Sequence, residues 1–133
     1  MKVRYLRMDE VLRLHALVMR AEGQPSVLVD AVKLESAILR PAAEAFGSEF
    51  YPSLAEKAAV LVQGVVIAHP FVDGNKRLGL GCMLAFLLMN RIPLTAAPDP
   101  LYQFVISVST GELRRTEDIA GHLRLLFAPH LDA

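Results

Sequence analysis

Two apolar segments on either side of a short polar segment constrain the fold of this 133-residue chain more than any other feature. Residues 58–68 are interrupted only by Gln63 and Gly64, and residues 78–89 contain no charged side chain. A membrane-spanning helix needs about 20 apolar residues, and both segments are shorter than that. Because a helix that is apolar on all sides is a buried one, the sequence predicts two central helices of a compact bundle.

Capping and turn residues predict where the helices begin and end. The pair Ser53 and Glu56 forms a capping box, which predicts a helix over Leu54–Ala68. Other expected helices cover 9–21 with Asp9 as N-cap, 33–40 before Pro41, 99–109 with Asp99 as N-cap, and 116–127, and residues 42–46 are expected to add one helical turn. Residues 2–6 are expected to form a short strand or an extended arm. The predicted fold is all-α, with one domain over residues 1–133.

Charge and cysteine content narrow the function classes. Fourteen basic side chains balance fourteen acidic ones, the isoelectric point is about 6.9, and mean hydropathy is +0.37. Proteins that bind nucleic-acid backbones usually carry a basic excess, so direct nucleic-acid binding is not expected. The single cysteine, Cys82, excludes an internal disulfide and fits a reducing compartment. With neither a signal peptide nor a membrane span expected, the prediction is a cytoplasmic protein.

The polar segment between the central helices has residue types suited to binding an anion. Residues 69–77, here called the motif loop, read His-Pro-Phe-Val-Asp-Gly-Asn-Lys-Arg. Gly74 and Asn75 readily take left-handed backbone angles, and such a turn directs backbone N–H groups toward an anion. Lys76 and Arg77 follow at the start of the next helix, where the helix dipole also favours negative charge. The motif loop therefore predicts a phosphate site.

The remaining motif-loop residues point to phosphoryl or nucleotidyl transfer. Asp73 offers a hard oxygen ligand for Mg²⁺, which typically binds one or two carboxylates together with phosphate oxygens. His69, expected at the end of the first central helix, is suited to taking a proton from an attacking hydroxyl. Phe71 is expected to anchor the loop in the core. Positioning and electrostatic stabilisation are what phosphoryl transfer mainly requires.

The pattern His69-x-Phe71-x-Asp73-Gly74-Asn75-Lys76-Arg77 resembles the signature of the Fic/Doc (Fido) family. The resemblance is closest to the Doc branch, the "death on curing" toxins of bacterial toxin–antitoxin pairs. Residues 34–41, 51–58 and 109–113 also look like Doc segments, so the resemblance extends over almost the whole chain. It implies a compact helical bundle of the Fido type, with the motif loop between two central helices.

Two departures from the Fic pattern imply which chemistry is carried out. Fic proteins, which usually transfer AMP, have a glycine in place of Lys76 and an arginine in place of Leu80. The Doc type instead implies a protein kinase that transfers the γ-phosphate of ATP to a Thr/Ser hydroxyl of a translation factor, with elongation factor Tu as the expected target. Translation is then arrested.

The resemblance also implies a role for each residue of the motif loop. His69 is expected to be the base and Asp73 to hold Mg²⁺. Phosphate and nucleotide contacts are expected from the residues that follow, Gly74, Asn75, Lys76 and Arg77. Some Doc proteins have alanine in place of Gly74, and either residue is expected to permit the turn.

The resemblance further implies a protein partner. No Ser/Thr-x-x-x-Glu-Gly/Asn inhibitory helix is evident, which implies a separate antitoxin whose disordered tail folds onto the toxin. Residues 24–32 belong to the region expected to dock the target. Two alternatives remain, a Fic-type protein adenylyltransferase (AMPylation) and a non-catalytic antitoxin-binding module. Lys76 and Leu80 argue against the first, and the intact motif loop argues against the second.

Overall fold

The computed structural model of the chain describes residues 2–131, so residues 1, 132 and 133 of the expected domain lie outside it. Within that range the fold is a helical bundle, which confirms the predicted all-α class. Its elements are α1 (Met8–Ala21), α2 (Ala31–Leu39), a 3₁₀ turn (Arg40–Ala42), β1 (Glu44–Ala45), β2 (Ser48–Glu49), α3 (Leu54–Ala68), α4 (Asn75–Met89), α5 (Pro98–Thr110) and α6 (Thr116–Leu126). No helix in residues 2–131 is long and apolar enough to cross a membrane.

Helices α3 and α4 form the centre of the bundle, as predicted from their composition. Helix α3 packs against α2, α4, α5 and α6, and α1 and α5 pack against α4. The predicted capping box is confirmed, because the Ser53 hydroxyl accepts from the Glu56 N–H at 3.1 Å and the Glu56 carboxylate accepts from the Ser53 N–H at 3.2 Å. On α4, Cys82 is buried, and burial raises the pKa of its thiol to about 12. This cysteine therefore acts as a small core side chain.

A buried lysine lies in the first turn of α3. Lys57 is 1% exposed, and its ammonium donates to the Glu49 carboxylate at 2.9 Å, the Tyr51 carbonyl at 2.6 Å and the Pro41 carbonyl at 3.3 Å. These partners use all three donors of the ammonium group. Lys57 thus ties the 3₁₀ turn and the segment after it to the central helix.

Residues 44–49 form a hairpin, and the helical turn predicted over residues 42–46 is wrong. Glu44 pairs with Glu49 and Ala45 with Ser48 in an antiparallel ladder. Phe46 and Gly47 connect the strands with φ values of 54° and 79°. Two consecutive left-handed residues are typical of a two-residue hairpin turn, so Gly47 makes a turn between strands instead of ending a helix.

Four helix starts differ from the predicted ones by one to three residues. Helix α1 begins at Met8 with Arg7 as its N-cap, which places Asp9 in the first turn and not at the N-cap. Helix α2 begins at Ala31 because Asp30 is its N-cap and accepts from the Lys33 N–H at 3.0 Å. Helix α4 begins at Asn75 and not at residue 78. Helix α5 begins at Pro98, which places Asp99 in the first turn and not at the N-cap. The 3₁₀ turn that follows α2 includes Pro41, so the chain does not leave helical geometry before the proline as predicted.

The first residues of the described chain run as an extended arm against the end of α4. Residues 2–6 form no strand within residues 2–131, which settles the two predicted alternatives in favour of the arm. The arm is held by Asn90, whose side-chain oxygen accepts from the Arg4 N–H and whose amide donates to the Arg4 carbonyl, both at 2.9 Å. Asn90 is also the C-cap of α4.

Candidate active site

A cavity of about 430 Å³ lies where the end of α3, the start of α4 and one face of α5 meet. It is lined by Val66, His69, Asp73, Gly74, Asn75, Lys76, Arg77, Tyr102 and Ser109. The predicted site residues therefore meet at one cavity, except for Phe71, which is buried at 2% exposure. Tyr102 and Ser109 were not predicted to belong to the site. Their spacing of seven residues places them on one face of α5, and this was the only signal for them in the sequence.

His69 ends α3 in a left-handed conformation. Its φ and ψ are 51° and 53°, and its N–H donates to the Val65 carbonyl at 3.3 Å. Left-handed angles are unfavourable for a residue with a Cβ, at a cost of about 1–2 kcal/mol. The imidazole is exposed and lines the cavity. The helix end thus directs the ring away from the core.

Asn75 closes the motif loop with its side chain. It is 4% exposed, its oxygen accepts from the Phe71 N–H at 3.0 Å, and its amide donates to the Phe71 carbonyl at 2.9 Å and to His69 Nδ1 at 3.1 Å. The expectation of left-handed angles at Asn75 is wrong, because Asn75 is the first residue of α4 and, of the pair Gly74 and Asn75, only Gly74 has a positive φ. The phosphate contact predicted for Asn75 stays a prediction.

The hydrogen bonds of Asn75 assign the tautomer of His69. Both contacts with Phe71 fix which end of the Asn75 amide is nitrogen, so His69 Nδ1 faces an N–H donor. Nδ1 must therefore carry the lone pair, and the neutral ring holds its proton on Nε2. For Nε2 to accept a proton, the ring proton must first move to Nδ1, and the contact with Asn75 must open.

Asp73 presents one carboxylate at the start of α4. Its Oδ1 accepts from the Gly74 N–H at 2.7 Å, and the side chain is exposed at the cavity. Within residues 2–131 no group of three or more His, Cys, Asp or Glu is arranged to hold a metal ion. A single carboxylate fits the way Mg²⁺ binds at nucleotide sites, where phosphate oxygens and waters complete its shell.

The two cations of the motif loop differ in their surroundings. Arg77 pairs with Glu22, the C-cap residue of α1, at 2.5 Å. Both side chains are about half exposed, so this pair contributes little to stability. Lys76 is exposed and has no ion pair within residues 2–131. A phosphate in the cavity would therefore meet Lys76 directly and would compete with Glu22 for Arg77.

Residues 24–32, here called the flap segment, lie against the motif loop. The Val29 and Asp30 N–H groups donate to the Pro70 carbonyl at 2.8 and 3.0 Å. The Val72 N–H donates to the Val27 carbonyl at 3.0 Å. These bonds resemble those of a short antiparallel pair, and they fix the flap segment beside the cavity.

Gly74→Ala is expected to lower both stability and activity. Gly74 has a φ of 79°, and an added Cβ would lie 2.6 Å from Met19 Sδ and 3.2 Å from His15 Nε2. The expectation that alanine equally permits this turn is therefore wrong for this chain. The left-handed angle alone costs about 1–2 kcal/mol, which chemical denaturation would detect.

Gly121→Ala is the matched control for Gly74→Ala, since its Cβ meets nothing within 4 Å and alanine is favoured in a helix. Equal stability of the two variants would contradict this prediction.

Comparison with known proteins agrees with the geometry of the site. The chain matches the Fic/DOC family over residues 5–87, which is more than half of its length and includes the motif loop. It is 36% identical over 92 residues to Toxin Doc of Mycolicibacterium smegmatis, in an alignment that covers 69% of this chain and 68% of that protein. The chain therefore belongs to the Fic/DOC family.

Proposed function

We propose that this protein is the toxin of a toxin–antitoxin pair and acts as a Doc-type protein kinase. It transfers the γ-phosphate of ATP to a Thr/Ser hydroxyl of a translation factor, with elongation factor Tu as the expected target, and so arrests translation. The similarity to a protein named Toxin Doc supports the toxin role. The observation that carries the chemistry is the cavity that gathers His69, Asp73, Lys76 and Arg77.

The side chains around the cavity supply the charges that phosphoryl transfer needs. Asp73 would hold Mg²⁺ against the phosphates, and the cation supplies charge neutralisation there. Lys76 contributes a compact positive charge, and Arg77 a planar fork that suits two phosphate oxygens. The Gly74 backbone and the positive end of α4 add a further anion-binding field. Phosphate binding at Arg77 replaces its present pair with Glu22.

His69 accepts the proton that the target hydroxyl releases in the reaction. The hydroxyl oxygen of the target bonds to the γ-phosphorus, the bond from that phosphorus to the bridging oxygen breaks, and ADP leaves with the electron pair. The hydroxyl proton passes to His69. Because Asn75 holds the ring in the Nε2–H tautomer, this step requires the ring to release Asn75 when substrate binds. Asn75 thus sets the resting state of the base.

The proposal includes an antitoxin whose disordered tail folds on the toxin. The name of the M. smegmatis relative supports a toxin with such a partner. Exposed apolar side chains also lie on the flap segment and at the end of α3, with Val29 66%, Val32 77% and Ile67 61% exposed. Apolar side chains of this kind are typical of surfaces that a partner covers.

Intact-mass measurement of purified elongation factor Tu tests the proposed function. After incubation with this protein, ATP and Mg²⁺, we expect a gain of one phosphate, which should be absent with EDTA or with Asp73→Asn. A gain of one AMP would instead identify a Fic-type adenylyltransferase. If elongation factor Tu is unchanged, γ-labelled ATP added to a bacterial lysate tests for another target. A lysate without any labelled protein would contradict the kinase.

A further inference from the structure

A histidine outside the motif loop contacts it through both a hydrogen bond and ring stacking. His15 lies on α1, is fully buried, and stacks on Phe71 with ring centroids 3.5 Å apart and an interplanar angle of 16°. Its Nε2 lies 2.8 Å from the Asp73 carbonyl oxygen, and its Nδ1 lies 2.6 Å from Ser26 Oγ. One ring therefore contacts the motif loop on one side and the flap segment on the other.

The two hydrogen bonds of His15 have defined directions. A carbonyl oxygen only accepts, so Nε2 must carry a proton and donate to Asp73. In the neutral ring, Nδ1 then accepts from the Ser26 hydroxyl. Both ring nitrogens are thus used, and rotation of the ring would break both bonds and the stacking on Phe71.

The contact with Asp73 lies at the turn that starts α4. Asp73 precedes Gly74, whose left-handed angles let the chain enter the helix. His15 Nε2 lies 3.2 Å from the position that a Gly74 Cβ would occupy, so the ring packs directly against this turn. The direction of the Asp73 side chain depends on the same peptide unit. A displaced His15 would therefore move the carboxylate that faces the cavity.

We infer that His15 is a positioning residue that fixes Asp73 for metal and phosphate binding and links it to the flap segment through Ser26. Its kinetic consequence rests on the proposed function, whereas the link between the two segments does not. Residues that orient a metal ligand typically change affinity or activity about 10–100-fold when replaced. We expect an effect of that size on the KM for Mg²⁺-ATP and on kcat.

Two substitutions of His15 separate positioning from packing. His15→Gln can place an amide N–H near the Nε2 position and keep the donor to Asp73. His15→Asn can reach only the Nδ1 position, so it keeps the hydrogen bond with Ser26 and loses the one to the Asp73 carbonyl. We expect the activity of His15→Asn to fall about 10–100-fold below that of the parent. We expect His15→Gln to keep most of the parent activity. His122→Asn, at an exposed histidine of α6, is the control and should match the parent.

Amide exchange and NMR shifts test the link without any transfer reaction. We expect His15→Asn to speed hydrogen exchange at the motif loop and at residues 27–30. Ser26→Ala alters an exposed residue and should fold even where a His15 variant does not. We expect it to shift the Gly74 amide resonance, although Ser26 is hydrogen-bonded to His15 and not to Gly74. Parent-like exchange and an unmoved Gly74 resonance would overturn the inference.

The kinetic outcomes are equally decisive. If His15→Gln and His15→Asn lose activity equally, in proportion to lost stability, then His15 is only a packing residue and the inference is wrong. If the parent protein transfers no group but Ser26→Ala still shifts Gly74, the proposed function fails while the link between the segments is supported.

Discussion

Replacing His69 with alanine is expected to lower the rate of phosphoryl transfer by about 10²–10⁴-fold, the usual contribution of a general base. The side chain is exposed, and its one hydrogen bond is to Asn75. Asn75 keeps both contacts with Phe71 when the imidazole is removed, so the motif loop should stay closed. The rate of phosphate incorporation into the target measures this effect, and growth arrest on expression in a bacterial host should be lost in parallel.

The control for His69→Ala is a histidine far from the cavity. His130→Ala removes an exposed side chain that does not line it, and it should keep the parent rate. Both variants should unfold at the denaturant concentration of the parent. A His69→Ala protein as active as the parent would remove His69 from the mechanism and would leave positioning alone to explain transfer.

Replacing Lys57 with alanine is expected to lower the free energy of unfolding by several kcal/mol. The Tyr51 and Pro41 carbonyls lose their donor, and each buried acceptor left unpaired costs about 1–3 kcal/mol. Glu49 is 43% exposed and can be hydrated instead, so its loss adds little. Removal of the aliphatic part of the Lys57 side chain also leaves a void at the start of α3. Denaturant unfolding followed by circular dichroism measures the change.

Lys33→Ala is the matched control for Lys57→Ala. Lys33 is exposed, and its side chain makes no hydrogen bond or ion pair within residues 2–131. Its replacement should change the free energy of unfolding by less than about 0.5 kcal/mol. Lys57→Met, which keeps the stem but not the charge, should lie between the two. Equal stability of the Lys57 and Lys33 variants would show that the buried network contributes nothing.

The parts of the fold that were predicted correctly depend on local patterns. Helix α3 was predicted to the residue, because Ser53 and Glu56 mark its start and a mostly apolar sequence as far as the motif loop marks its length. The hairpin over residues 44–49 was missed because Phe46 gives no sequence signal of a left-handed turn. The hairpin also depends on Lys57, which bonds to Glu49 from the next helix. A window of a few residues around the turn does not contain Lys57.

Within the site, too, the residues that were predicted are those that a local pattern identifies. Residues 69–77 were predicted to lie together because they are contiguous and their types suit one chemistry. Tyr102 and Ser109 reach the cavity from α5 only because α5 packs on α4. His15 bonds to a residue 58 positions away, and nothing in its helical pattern separates it from a core or surface histidine. The contacts of these residues required the three-dimensional structure.

The link from α1 to the motif loop limits what can be transplanted into another protein. A designer who moves residues 69–77 onto a different helix–loop–helix scaffold carries the reactive side chains but leaves behind the ring that holds Asp73 and the strand-like bonds from Val27 and Val29. Such a graft would show Asp73 and Gly74 in many conformations. The smallest portable unit therefore joins two separate pieces, residues 15–30 and the helix pair α3–α4.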